Sequence, residues 1–276
     1  MAEIVGSYWF LTILAILSIS MSMGGLWLVR KTVSHETLMD HHDVAAAMLS
    51  VVGALYAVVL GLVVVGSITK FEQARETVAH EANSLRNIYS LTRGLDETLK
   101  LEIRKLCVEY AREVIEDEWP KMAQSSRSEL VDTTLAKLSA RIIEFAPSTE
   151  GQANLQQYLL SAVNEIDDDR ALRTILSTPS FGELIWAVLI VGGIVLIVYT
   201  YFFGVENLKL QLLMTGLVTV VLVLNMIIVA MFAYPFSGDV KVLPKPFQRD
   251  LDIFQHWHHI HFQNENNKNG EANEHS

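Results

Sequence analysis

Apolar residues follow two patterns along this chain. In four windows, Tyr8 to Val29, Val44 to Ile68, Leu184 to Val205 and Leu210 to Tyr234, they run almost without interruption. Each window holds the roughly 20 residues needed to cross a hydrocarbon core of about 30 Å, and none carries a Lys, Arg or Asp in its body. These four windows predict transmembrane helices. Between Thr69 and Gly182 the apolar positions instead recur three and four apart, as on helices with one face in water.

That second region resolves into four lines. Val78, Ala82, Leu85, Tyr89 and Thr92 continue directly out of the second window and stop at Gly94. A single helix over Val44 to Arg93 is therefore expected, extending about 75 Å at 1.5 Å per residue. A second line, Leu99, Ile103, Leu106, Tyr110 and Val114, is expected to end at Trp119, because Pro120 has no amide hydrogen to continue the ladder. The third is Val131, Leu135, Leu138, Ile142 and Phe145, closed by Pro147. The fourth starts at the capping candidate Ser148 and carries Leu155, Leu159, Ala162, Ile166 and Arg173 toward Pro179. No stretch alternates long enough for a strand. The predicted fold class is all-α: four transmembrane helices with a helical bundle inserted between the second and third.

The domain reading follows. Residues 1–68 hold the first two spans, 69–182 the bundle, and 183–234 the last two spans. Residues 235–262 read as an extended strap, because AYPFSGDVKVLPKPF packs three prolines and a glycine among apolar anchors, and 263–276 as a disordered polar tail. The leader MAEIVGS carries Glu3 and no basic residue, so the first window reads as a retained anchor and not a cleaved signal. With the N-terminus inside, Lys70, Arg75, Arg86, Arg170, Arg173, Lys241, Lys245 and Arg249 flank the cytoplasmic ends, against Arg30, Lys31 and Lys209 outside. This imbalance predicts that the N-terminus and the bundle are cytoplasmic.

Composition narrows the function. A net charge of -10 offers no basic face for nucleic acid. Cys107 is the only cysteine, which excludes a disulfide or multi-cysteine metal site within one chain. No nucleophile elbow, phosphate-gripping loop or zinc-protease helix occurs, so nothing points to an enzyme and no cofactor is called for.

Several residues carry a choice between packing and function. Gly53, Ala57 and Gly61 lie four apart in the second window and suit close helix packing, as does the interhelical amide Asn225 in the fourth. Thr215 and Thr219 can satisfy themselves on their own helix. Asp43 and Glu183 stand at the starts of two spans, where they complement helix dipoles or ring a pore mouth. His41, His42 and the run His256, His258, His259, His261 lack the companions of a built metal site. Asp167, Asp168 and Asp169 lie on an uninterrupted helical pattern with no calcium-loop glycine, and read as a solvated face.

Taken together, GALYAVVLG at 53 to 61 behind a His-Asp entry, EANSLRNIYSL at 81 to 91, YAREVIEDEWPKM at 110 to 122 and YPFSGDV at 234 to 240 resemble the bacterial bestrophin-like integral-membrane family. Glu118-Trp119-Pro120 and Pro235-Phe236-x-Gly238 are the more specific signs. The resemblance implies a homo-oligomeric ion channel, typically a pentamer, with the second span lining an axial neck. On that basis Val52, Tyr56, Val59 and Val63 become candidate pore-lining residues. The partners expected are the lipid bilayer, further copies of the same chain and small inorganic ions. The aromatic neck and acidic calcium clasp of animal bestrophins have no counterpart here. An alternative class is a non-conducting membrane scaffold or signalling protein whose bundle binds another protein.

Overall fold

The computed structural model describes residues 7–33, 42–123, 126–203, 205 and 207–257. Among them every regular element is helical: α1 (Tyr8–Thr32), α2 (His42–Leu91), a tight 3-10 turn (Thr92–Gly94), α3 (Glu97–Glu113), a widened π segment (Val114–Glu118), α4 (Trp119–Met122), α5 (Glu129–Glu144), α6 (Glu150–Leu176), α7 (Glu183–Tyr201), α8 (Leu208–Phe232) and α9 (245–257). Helices α1, α2, α7 and α8 are long and apolar enough to cross a membrane. The chain forms two compact units, one of Met1–Glu72 with Pro179–Lys241 and one of Gln73–Thr178 with Val242–Ser276.

In the first unit α8 packs against α1 and α7, and α1 also meets α7. Lipid gives apolar helices no reason to prefer one another, so polar contacts supply direction. The Ser22 and Thr219 hydroxyls share a 2.7 Å hydrogen bond between α1 and α8. Tyr201 donates its hydroxyl to the Ser22 carbonyl at 2.9 Å, and Thr215 donates to Thr200 at 3.1 Å. Helix α7 stops at Tyr201, short of the expected Val205, and the Gln211 amide of α8 donates to the carbonyl of Phe203 at 2.6 Å. A helix end buried in an apolar layer needs such a partner.

The YPFSGD turn completes this unit. Gly238 takes φ +83°, a conformation L side chains avoid, and swings Asp239 toward the start of α1. There Asp239 Oδ2 accepts the Tyr8 amide at 2.7 Å, doing the capping that Ser7 does not. Ser180 donates both its amide and its hydroxyl to the Ala233 carbonyl at 3.0 Å.

The second unit holds α3 to α6 and α9 with the later turns of α2. Asp96, Ser128 and Thr149 cap α3, α5 and α6 through their side chains, so the cap of α6 is Thr149 and not Ser148. Val78, Leu85, Ile103, Leu138, Ile142 and Ile166 are fully buried, as their spacing predicts. Two further expectations fail. Helical structure runs through Pro120 to Met122, because the π segment places the Trp119 amide on the Val114 carbonyl, five residues back, and the shifted ladder has no need of a proline donor. The 235–262 strap is irregular only to residue 244, after which α9 begins with Pro246 in its first turn, where a missing amide hydrogen costs nothing.

Candidate functional site

The apolar half of α2 has two unlike faces. Along one edge Tyr56, Leu60 and Val63 are buried against Leu189 and Leu196 of α7 and Val229 of α8, with Leu49, Val52 and Val64 packed beside them. Tyr56 fixes this edge. Its ring lies on Gly192, where a Cβ would come within 2.6 Å of the ring carbons, and its hydroxyl donates to the Leu189 carbonyl at 2.8 Å. Only glycine admits an aromatic ring so close to a helix backbone.

The opposite face is free within the subunit. Ala47, Ser50, Ala54, Ala57 and Gly61 are all exposed and recur three and four apart, forming one straight line of small side chains. Ser50 turns its hydroxyl onto the Ala46 carbonyl at 3.0 Å, so the line presents no unpaired donor. Larger apolar residues, Val51, Leu55, Val58, Leu62 and Val65, flank it and are also exposed.

The sequence-chosen residues are redistributed by this arrangement. Of the pore-lining candidates, Tyr56 and Val63 are buried inside the subunit and Val52 packs beside them; Val59 alone is exposed, at 41%. Those residues lie on the side of α2 whose packing partners α7 and α8 supply. Of the packing candidates, Gly53 lies beside Leu196, which a Cβ built there would meet at 3.8 Å, whereas Ala57 and Gly61 are exposed and Gly61 has open space beside it. The Asn225 amide donates to its own helix at the Val221 carbonyl, 2.9 Å away. Glu183 is exposed in the first turn of α7, where it complements the helix dipole. The side chains of His42 and Asp43, and His41, His258, His259 and His261 entirely, lie outside the described residues; His256 is exposed. Asp169 pairs with His80 at 2.5 Å, and Asp167 and Asp168 are exposed.

Sequence reasoning missed a charge cluster in the core of the second unit. Glu81, Glu118, Arg170 and Arg173 have no side-chain exposure. Arg173 donates to Glu81 Oε2 at 2.6 Å and to Glu118 Oε2 at 2.8 Å; Arg170 donates to Glu118 Oε1 at 2.6 Å and also binds Asp132. The Tyr110 hydroxyl donates to Glu81 at 2.7 Å, and Arg173 lies 5.4 Å over the Trp119 ring. Burial disfavours the Glu118 charge, but the Arg173 charge and the Arg170 hydrogen bonds outweigh it and hold its carboxyl below the usual range. Glu81, Glu118 and the half-exposed Asp132 together face the two arginines, so the charges of the cluster are paired within it. It joins α2, the π segment and α6 and has no free group to offer a ligand.

The Bestrophin-like domain matches residues 16–247. Crystal structures of two substituted forms of a bacterial bestrophin homologue from Klebsiella pneumoniae superpose at TM-scores of 0.64 and 0.62, each 12% identical, covering 87% and 90% of this chain and 98% and 97% of theirs. A substituted membrane protein superposes at 0.62 with 13% identity, over 89% of this chain and 97% of its own. At these identities the likeness is one of fold. No curated protein matches.

Proposed function

Because the chain belongs to the Bestrophin-like domain family, we propose that it is a bestrophin-like ion channel, a homo-oligomer with an axial pore lined by α2. The observation that carries this reading is the free face of α2, where Ala47, Ser50, Ala54, Ala57 and Gly61 stand exposed on a helix whose other edge is taken up by α7 and α8. Small side chains at three- and four-residue spacing let several copies of one helix approach a common axis. They carry no charge and no free donor, so the barrier they form acts through width and dewetting instead of ion coordination. In this reading the pore lining is this line and not the Tyr56 edge, on whose side Val59 also lies.

In this reading five copies assemble in a cell inner membrane, the N-terminus and the second unit are cytoplasmic, and small inorganic ions are the cargo. The excess of Lys and Arg beside the spans on that side supports the orientation. Purified protein reconstituted in planar bilayers should give unitary currents, and Ala57→Leu should reduce their amplitude several-fold. A folded oligomer that stays electrically silent, and co-purifies with a stoichiometric protein partner, would instead favour a non-conducting scaffold.

A further inference from the structure

Helix α9 buries a carboxylate in the middle of its packing edge. Phe247, Asp250 and Phe254 recur three and four residues apart, and all three are inaccessible. The contacts around them are aromatic. Phe254 stacks on Tyr89 with ring centroids 4.0 Å apart and planes within 7°, and the Tyr89 hydroxyl donates to the Phe254 carbonyl at 3.3 Å. Phe247 lies 6.5 Å from Tyr110 and 6.4 Å from Trp119. Trp257 sits 5.7 Å from Tyr89, with the Arg93 guanidinium 5.2 Å over its ring.

Asp250 is poorly provided for in this setting. Its Oδ1 accepts from Arg86 of α2 at 3.1 Å, and its Oδ2 is buried with no hydrogen-bond partner. Among the described residues two charges bear on it. Arg86 is 26% exposed and also donates to Asn83; Arg249, on α9 itself, is 64% exposed and 4.0 Å away. An ionised carboxylate calls for donors at both oxygens, and a neutral acid for fewer.

We propose that Asp250 is a proton-binding site, and that α9 is held on the second unit most firmly when Asp250 is protonated and loosens as that proton leaves. Burial, only partly offset by the Arg86 and Arg249 charges, keeps the carboxyl above the ordinary carboxylate range. A group whose pKa is raised by docking stabilises the docked state fully below its ordinary value. That contribution is lost as pH rises through the raised value. One proton limits the change to about tenfold in the docking equilibrium per pH unit.

The test is amide hydrogen exchange of the full-length protein in detergent from about pH 4 to about pH 8. Protection of α9 is corrected for intrinsic exchange and read against α8. Wild-type α9 should lose protection by up to about tenfold per pH unit through a midpoint between the ordinary carboxylate value and the raised one, and level off above the raised value, while α8 stays level. Asp250→Asn, which keeps the shape and cannot ionise, should hold α9 at its low-pH protection throughout. Arg86→Gln removes a counter-charge and should move the midpoint to higher pH. A flat wild-type profile, an Asp250→Asn profile that follows wild type, or an Arg86→Gln midpoint that is unmoved or lowered would each overturn the proposal. If Asp250→Asn does not fold, the wild-type and Arg86→Gln profiles decide it.

Discussion

Glu118 is the residue on which the buried charge of the second unit converges, since both arginines donate to it from successive turns of α6. Removing one member of a buried pair leaves the other as an uncompensated charge, typically at a cost of about 3–5 kcal/mol. Glu118→Gln should therefore lower the unfolding midpoint of the detergent-solubilised protein markedly, whereas Glu116→Gln, on an exposed residue of the same segment, should not. The folded-state pKa of Glu118 is depressed, so its contribution is present above the ordinary glutamate value of about 4.3 and is lost as pH falls through the depressed one. Acid unfolding curves of wild type and variant should accordingly converge at low pH. The sequence did place Arg173 on the apolar line of α6. Its partners were not legible, because Glu81 lies 92 residues away and an arginine at a seam position names no acid.

Helix boundaries show where local chemistry suffices and where it does not. The starts of α3, α5 and α6 follow from caps within three residues, which a sequence displays. Helix α1 is different, because its cap comes from Asp239, 231 residues away. Losing a capping oxygen costs about 0.5–2 kcal/mol. Asp239→Ala should therefore raise amide exchange in the first turn of α1 and leave its middle unchanged; equal exchange in both proteins would mean that the contact contributes nothing. The run of prolines before α9 misled in the same way as Pro120. Both have the look of helix breakers, but one falls in a first turn and the other follows a π segment, positions that have no use for the missing amide hydrogen. The buried Asp250 further disguised α9, interrupting the apolar spacing that would have announced it.

At the scale of the whole molecule, membrane spans are legible because hydrocarbon thickness imposes length, but the rotation of a span is not. Helix α2 is apolar all round between Val44 and Ile68, so composition could not say which face its own subunit would cover. The seat of Tyr56 on Gly192 decides it, and that contact joins residues more than a hundred positions apart. The resulting free face can be tested through the scarcity of cysteine. Cys107 is fully buried, and burial pushes its thiol far above the ordinary range, so the wild-type protein should resist charged, water-soluble thiol reagents. If several copies of α2 surround a water-filled axis, Ala54→Cys and Ala57→Cys should react with such reagents. Leu213→Cys, on the exposed surface of α8, should stay unmodified because it faces hydrocarbon. Thiolate forms only where water can solvate it, so rate separates lumen from lipid even though both faces are bare in a single subunit. Equal inertness at all three positions would place the small-residue line against lipid or another helix, and the pore would have to be sought elsewhere.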